Sequence, residues 1–353
     1  MIAKITHFIH SNFLVLLLAS YILATIAPDF GLYLRSINFG VIHWFDGSTL
    51  KISLSVVMLS MLLFNAGFGF KLKELKELKR KRLIIITGFL ANLISPLIIV
   101  WLIHFLILNW HNFDELQNLL VGLALVASMP IAGSSTAWAQ NADGNISLSL
   151  GLVILSTFAS PVTTPLVLTC FSFLTTGDYA QDLFELSKHG TKAFLILAVV
   201  IPSLLGIVTK MVIKIKTNDN SPTQSQPIIK LLNLVNLLLL NYSNASISLP
   251  TTIQKPDWDY YLLILVVTIV LCLFAFMAGF VIARFFKCNR ADMASLMFGL
   301  GMNNNGTGLV LASLVLSDHP NVMLPLIFYT LVQQIIAAII DKYLLPKEKI
   351  GVV

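Results

Sequence analysis

The chain has 353 residues, of which 57% are hydrophobic and only 11% are charged, and its mean hydropathy is +0.85. Soluble domains carry about 25% charged and about 45–50% apolar residues, so this composition excludes a soluble globular enzyme, a disordered protein and a disulfide-stapled secreted domain. The formal charge of +6 would suit nucleic acid, but the positions of the charges indicate membrane topology instead, and we predict no nucleic-acid partner.

Apolar runs follow one another along the chain, and most have the ~20 residues that an α-helix needs to cross a bilayer. We place ten spans at 11–33, 49–70, 83–109, 115–139, 145–174, 192–213, 227–245, 258–284, 291–316 and 321–345. With a cytoplasmic N-terminus, 18 of the 23 Lys and Arg residues fall inside, as the positive-inside rule requires. We therefore predict a multi-pass integral protein of the cell or inner membrane with both termini cytoplasmic. A cleaved signal peptide stays open as an alternative for the first span.

The spans divide into two sets of five. This organisation predicts a first repeat at 1–174, an external loop at 175–191, a second repeat at 192–345 and a cytoplasmic tail at 346–353. Because each set has an odd number of spans, the two repeats are inverted relative to each other.

The seventh span is the weakest, because Asn233, Asn236 and Asn241 interrupt its leucines. Deleting it would reverse the orientation of everything downstream and place the basic segment 284–290 outside. The charge pattern therefore favours 227–245 as a true membrane span.

Two polar stretches lie inside apolar runs instead of at their ends. The fourth span contains MPIAGSSTAWAQN at 129–141, and the ninth contains GLGMNNNGTG at 299–308. Pro130 removes a helical donor and clashes with the preceding turn, and four glycines in ten residues make a continuous helix costly in the second stretch. We predict a helix break in each. Breaks at the fourth position of both sets of five are typical of an inverted-repeat transporter with its site at the repeat interface.

A broken helix at membrane depth requires protein or a water-filled cavity to satisfy its backbone. Freed carbonyls and neighbouring Ser, Thr and Asn oxygens suit Na⁺, and half-helix N-termini suit an anion. The predicted site residues are Ser134, Ser135, Thr136, Asn303, Asn304 and Asn305, with Asn65 and Asn92 as weaker candidates. For any single Ser or Thr, helix packing is an equally good reading. No charged residue lies clearly at the centre of a span, which disfavours a proton relay.

These stretches resemble the bile acid:sodium symporter family, whose members are ten-helix secondary transporters with two inverted five-helix repeats and crossed, broken fourth and ninth helices. The matching motifs are FNAGF at 64–68, Pro130 to Ser135, GNISLS at 144–149 and GMNNNG at 301–306. The predicted supporting residues are Asn65, Asn92, Pro130, Gly301 and Gly306.

The resemblance also implies two sodium sites. In relatives, one sodium is held by a Ser–Asn pair of the fourth helix, a Ser and a Thr of the fifth, and a ninth-helix Glu. The other uses that Glu, backbone around a Met–Gln pair, and a third-helix Gln. By position the Na⁺ candidates here are Ser135, Thr136, Ser149, Met302 and Asn303. Val153 replaces the Thr, Ala91 the third-helix Gln, and Gly299 the Glu.

We therefore expect a secondary transporter of a small organic anion that works by alternating access, with Na⁺ as the coupling ion and no organic cofactor. The missing Glu keeps two alternatives open, a sodium-independent transporter and a membrane receptor or regulatory protein that kept the fold. We expect no enzyme, because the sequence has no H-E-x-x-H motif, paired Asp or Ser/His arrangement at one depth. The partners we expect are the substrate and the lipid bilayer, and no oligomeric state follows from the sequence.

Overall fold

The computed structural model describes residues 12–45, 47, 49–69, 78–188, 190–217, 226–254, 256–316 and 318–345. The predicted cytoplasmic tail at 346–353 and the start of the first span lie outside these residues.

The first half of the described chain is helical apart from one hairpin. Its elements are α1 (Phe13–Ile26), α2 (Asp29–Ser36), β1 (Asn38–His43), β2 (Thr49–Ser53), α3 (Leu54–Gly69), α4 (Arg82–Ile107), α5 (Phe113–Ser128), α6 (Ser134–Asn141) and α7 (Ile146–Ser172). A short 3₁₀ turn, Lys79–Lys81, leads into α4.

In the second half, the described regular elements are all helices. Its elements are α8 (Gly177–Lys188), α9 (Thr191–Phe194), α10 (Ile201–Thr217), α11 (Gln226–Gln254), α12 (Trp258–Phe285), α13 (Arg290–Gly301), α14 (Asn305–Val315) and α15 (Met323–Ile339). The π-helical segment Leu195–Val200 joins α9 to α10, and Ile340–Leu344 extends α15 in the same way.

Within the described residues, five helical stretches are long and apolar enough to cross a membrane. They are Arg82–Ile107, Ile146–Ser172, Thr191–Ile213, Trp258–Phe285 and Pro320–Leu344. The bent pair α1 and α2 brings the number to six if it counts as one span, and α3 and α14 are shorter apolar helices. The protein is therefore an α-helical, multi-pass membrane protein, and the full number of ten spans stays a prediction.

The start of the chain differs from the prediction in two respects. The first span does not run straight through 11–33, because α1 and α2 meet at an angle of 91°. Pro28 lies in this corner, where its ring restricts the preceding residue and removes a backbone donor. Residues 49–53, predicted as the start of the second span, form strand β2, which pairs antiparallel with β1. The all-α class thus omitted a small hairpin.

The predicted external loop at 175–191 contains a helix, α8, which packs against α7. Gly177, with φ of +61°, starts it, and Gly190, with φ of +84°, follows it. Both backbone angles favour glycine, so these two residues separate α8 from its neighbours.

The long helices form two groups. In group one, α1 and α2 pack on α11, and α3 packs on α10 and α11. In group two, α12 packs on α4, α13 and α15, and α7 packs on α4 and α5. The contact between α3 and α10 is especially close, since a Cβ on Gly67 would overlap the Ser203 carbonyl and one on Gly206 would overlap the Phe64 carbonyl. The helix breaks belong to group two and face group one across a cavity.

Candidate functional site

Both predicted helix breaks are present, and they pair with each other. One separates α5, which ends at Ser128, from α6, and the other separates α13, which ends at Gly301, from α14. Ile131 and Asn303 form an isolated antiparallel bridge between the two breaks. The Ala132 amide donates to the Met302 carbonyl at 2.9 Å, and the Asn304 amide donates to the Pro130 carbonyl at 2.8 Å. The interrupted backbone thus satisfies part of its own hydrogen-bonding need, as it must at membrane depth.

Side chains satisfy further backbone groups at the end of α5 and in the break that follows. Asn303 Nδ2 donates to the Val126 carbonyl at 3.0 Å, and Thr164 Oγ1 donates to the Ser128 carbonyl at 2.6 Å. The Ile131 amide donates to Ser156 Oγ at 3.1 Å. These bonds replace partners that the last turn of a helix lacks.

Gln333 of α15 hydrogen-bonds to the backbone of the break between α13 and α14. Its Oε1 accepts from the Asn303 amide at 3.1 Å, and its Nε2 donates to the Asn303 carbonyl at 3.4 Å. Asn92 donates to Asn303 Oδ1 at 3.4 Å. The place where the two breaks pair, between Pro130–Ala132 and Met302–Asn304, is called the crossing below. Asn303 lies at its centre, and the Asn303 side chain is already hydrogen-bonded to Val126 and Asn92.

A cavity of about 280 Å³ lies between the crossing and group one. Its apolar wall comes from α1, α3 and α11, and its polar wall from both breaks, α14 and α15. The apolar wall contains Phe13, Leu17, Leu59, Leu62, Leu63, Ala66, Leu234, Leu237 and Leu240. The polar wall contains Ser134, Asn303, Asn304, Asn305, Gly306, Thr330, Gln333 and Gln334. No charged side chain lines the cavity among the described residues.

Asn305 differs from its two asparagine neighbours. It is 2% exposed and lines the cavity, yet neither Oδ1 nor Nδ2 has a hydrogen-bond partner among the described residues. Asn304 instead caps α14, because its Oδ1 accepts from the Thr307 amide at 3.3 Å. Leaving a buried amide unpartnered is costly. Among the described residues that line the cavity, Asn305 is thus the one whose side-chain polar atoms are all buried and unpartnered.

The hydroxyl groups at the start of α6 form a second polar cluster. Thr136 Oγ1 and Ser149 Oγ of α7 lie 3.0 Å apart. Ser135 is fully buried, and its Oγ lacks a partner among the described residues, whereas Ser134 is exposed toward the cavity. Three of the five Na⁺ candidates therefore lie on two adjoining helices.

The other two Na⁺ candidates hold the crossing together. Met302 is buried and its carbonyl accepts from the Ala132 amide, while Asn303 is engaged as described above. Gly299, which stands where relatives carry Glu, lies against α7, since a Cβ there would be 3.0 Å from Leu152 Cδ1. A role for any of these residues in binding sodium stays a prediction.

The supporting residues have different surroundings. A Cβ on Gly301 would overlap the Phe276 ring, so a side chain does not fit there, whereas one on Gly306 would have Asn304 Oδ1 as its nearest neighbour, at 3.6 Å. Asn65 is not one of the residues that line the cavity, and it donates to Asn233 Oδ1 at 2.6 Å within group one.

The contribution of α11 to the cavity does not follow from the sequence-based prediction of the site. Asn233 and Asn241 line it together with three leucines of the same helix, and Thr330 of α15 lines it too. The asparagines that interrupt this apolar span are the feature of the sequence that indicates such a contribution, in addition to making the span weak.

Fold and site together define a helical membrane protein with two paired helix breaks beside a mostly apolar cavity. The sequence model of the Sodium Bile acid symporter family matches residues 56–255, which is more than half of the chain. The chain belongs to this family.

Two proteins of Bacillus subtilis (strain 168) are similar to this chain. YocS, described as an uncharacterized sodium-dependent transporter, is 25% identical over 258 residues, which cover 73% of this chain and 73% of YocS. YbaS, described as an uncharacterized protein, is 28% identical over 220 residues, which cover 62% of this chain and 67% of YbaS.

Proposed function

We propose that the protein is a secondary transporter that carries a small organic anion together with Na⁺ by alternating access. In this proposal it has ten spans in two inverted repeats, and the α5–α6 and α13–α14 pairs are the crossed fourth and ninth spans. The observation that carries the proposal is Asn305, which lines a cavity at the point where two broken helices pair and whose side-chain amide has no hydrogen-bond partner among the described residues.

An anion fits this site because two helices begin there. Each helix N-terminus presents backbone N–H groups and partial positive charge. Ser134 at the first position of α6 and Asn305 at the first position of α14 both line the cavity. A carboxylate or sulfonate would meet both starts, and the buried Asn305 amide would turn toward it to donate through Nδ2.

The cavity also constrains the rest of the substrate. Its volume of about 280 Å³ lies at the lower edge of the ~300–1,000 Å³ that is typical of ligand pockets. The leucines of α1, α3 and α11 face the polar wall. We infer a compact anion with an apolar portion, and no enzymatic step on it.

Sodium coupling is supported by the family and by YocS, which is described as sodium-dependent. Ser135, Thr136 and Ser149 offer neutral oxygens of the kind that a hard cation accepts. A sodium-independent transporter is the second candidate, because Gly299 provides no carboxylate to offset the desolvation of a cation.

The proposed orientation places both termini in the cytoplasm. The cavity includes Phe13 and Leu17 from the start of α1, Ala66 from the end of α3 and Asn233 from the first half of α11. In this orientation all of these positions are on the cytoplasmic side, so the cavity is the inward-accessible form of the site.

Counterflow in proteoliposomes tests the proposal. Purified protein would be loaded with one of a set of short carboxylates or sulfonates, or with a bile salt, and exchange of the labelled compound would be followed with a sodium gradient and in potassium alone. We expect saturable exchange of a compact anion that increases with sodium. Equal exchange in potassium would support the sodium-independent candidate, and binding without exchange of any compound would favour a receptor and overturn transport.

A further inference from the structure

Arg35, in the last turn of α2, joins three helices on the side of the crossing away from the cavity. Its Nη1 donates to Asn244 Oδ1 of α11 at 3.1 Å, and its Nη2 donates to the Ser313 carbonyl of α14 at 2.9 Å. The side chain is partly buried. One guanidinium therefore connects group one, to which α2 and α11 belong, with the broken helix of group two.

The position along α14 separates this contact from the candidate site. Asn305 and Gly306 line the cavity at the start of α14, whereas Ser313 lies in its last turn. Eight residues of α-helix correspond to about 12 Å. The Arg35 contact is thus at the opposite end of α14 from the cavity.

The hydrogen bonds of Arg35 to Asn244 and Ser313 are of a kind that can break and re-form. Ser313 is among the last residues of α14, where carbonyls lack helical partners and carry partial negative charge. The planar guanidinium addresses this carbonyl and the Asn244 oxygen with two separate nitrogens, which a Lys ammonium does not reproduce.

The contact between α11 and α14 beside Arg35, called the seam below, contains polar groups. Among the described residues, Asn244 Nδ2 and Ser248 Oγ of α11 are buried without hydrogen-bond partners, and α11 and α14 pack against each other. Water entering this seam would satisfy groups that are now unpartnered, so opening it is less costly than opening an apolar contact.

We propose that Arg35 is the latch that holds the crossing closed on the side opposite the cavity opening. Release of Arg35 from Ser313 and Asn244 lets α14 separate from α2 and α11, which gives the site its second access route. This inference rests on the proposed function, in which the site must open alternately to the two sides.

Thiol labelling from each side of the membrane tests the latch without requiring a substrate. The reporter is Thr330→Cys, a cavity position outside the predicted site, in a chain whose native Cys170, Cys272 and Cys288 are replaced by Ser or Ala. A membrane-impermeant methanethiosulfonate would be applied to vesicles of both orientations. In the parent, labelling should be fast from the cavity side and slow from the Arg35 side.

Arg35→Gln should raise labelling from the Arg35 side about tenfold, since it removes two hydrogen bonds made by a charged group. Asn244→Leu should also raise labelling from the Arg35 side. It tests the latch by itself if Arg35→Gln does not fold. Lys51→Gln in β2, which removes an exposed positive charge nearby in sequence, is the matched control and should label like the parent. Parental labelling in folded Arg35→Gln and Asn244→Leu would overturn the latch.

The two proposals fail separately. Measurable counterflow with unchanged labelling would remove the latch and keep transport. Increased labelling by the Arg35 variant in a protein that exchanges no anion would keep the latch and remove the transport proposal.

Discussion

Ile131 and Asn303 face each other in a two-residue antiparallel bridge that joins the interruptions of two helices 172 positions apart in the chain. Each break thereby supplies hydrogen-bond partners for the other. The starts of α6 and α14 meet at one cavity as a result, which neither break would achieve alone.

Asn303→Ala should destabilise the protein. The substitution leaves the Val126 carbonyl and the Asn92 amide without their partner, and each buried polar group left unpaired costs ~1–3 kcal/mol. We expect a lower melting temperature in detergent, followed by tryptophan fluorescence. Gln140→Ala, at an exposed position on α6, is the control and should melt like the parent. Equal melting of both variants would show that Asn303 does not hold the crossing.

The two supporting glycines should respond differently to a methyl group. Gly301→Ala places a Cβ against the Phe276 ring, and overpacking of this kind costs ~1–3 kcal/mol. Gly306→Ala meets its nearest atom only at 3.6 Å and should be tolerated. Thermal unfolding of the two variants compares them directly.

A second substitution checks the cause of the Gly301 effect. Phe276→Leu in the Gly301→Ala background should recover part of the lost stability, because a smaller side chain makes room for the new methyl group. No recovery would mean that the close approach of Phe276 is not what requires glycine.

The hydroxyl pair of Thr136 and Ser149 tests the sodium part of the proposal. Thr136→Val combined with Ser149→Ala removes both oxygens of this 3.0 Å contact. The sodium concentration for half-maximal uptake should rise about tenfold. This is the lower end of the ~10–100-fold loss of metal affinity that follows the removal of groups next to a bound metal's ligands. Thr136→Ser keeps the oxygen and should retain the parental value. An unchanged sodium dependence in the double variant would assign these hydroxyls to packing.

The sequence predicted the parts of this fold that local chemistry determines. Pro130 and the glycine–asparagine stretch specify breaks in whatever helix contains them, and both breaks are where they were expected. The 91° corner between α1 and α2 also has a local cause, since Pro28 lies in it. It was not predicted because the apolar run continues across it. Strand β2 was not predicted because its residues 49–53 run directly into the apolar helix α3, although polar and apolar residues alternate within them as in a strand.

The roles of the three consecutive asparagines could not be predicted. In the sequence Asn303, Asn304 and Asn305 are equivalent, and only the path of the chain through the break separates them. The first is engaged with Val126, the second caps α14, and the third lines the cavity without a side-chain partner in the described part of the chain. The leucine wall of α11 likewise depends on which helix packs opposite the crossing, which no local pattern encodes.

Anion uptake by Asn305→Ala, measured beside its thermal stability, tests the central claim most directly. Removing an amide that makes no hydrogen bond to any described residue should leave the melting temperature unchanged or higher, whereas the loss of a bond to a charged substrate should lower the initial uptake rate at low substrate concentration about tenfold or more. Asn303→Ala provides the contrast, because it should lower stability as well. Parental uptake by a stably folded Asn305→Ala protein would contradict the account.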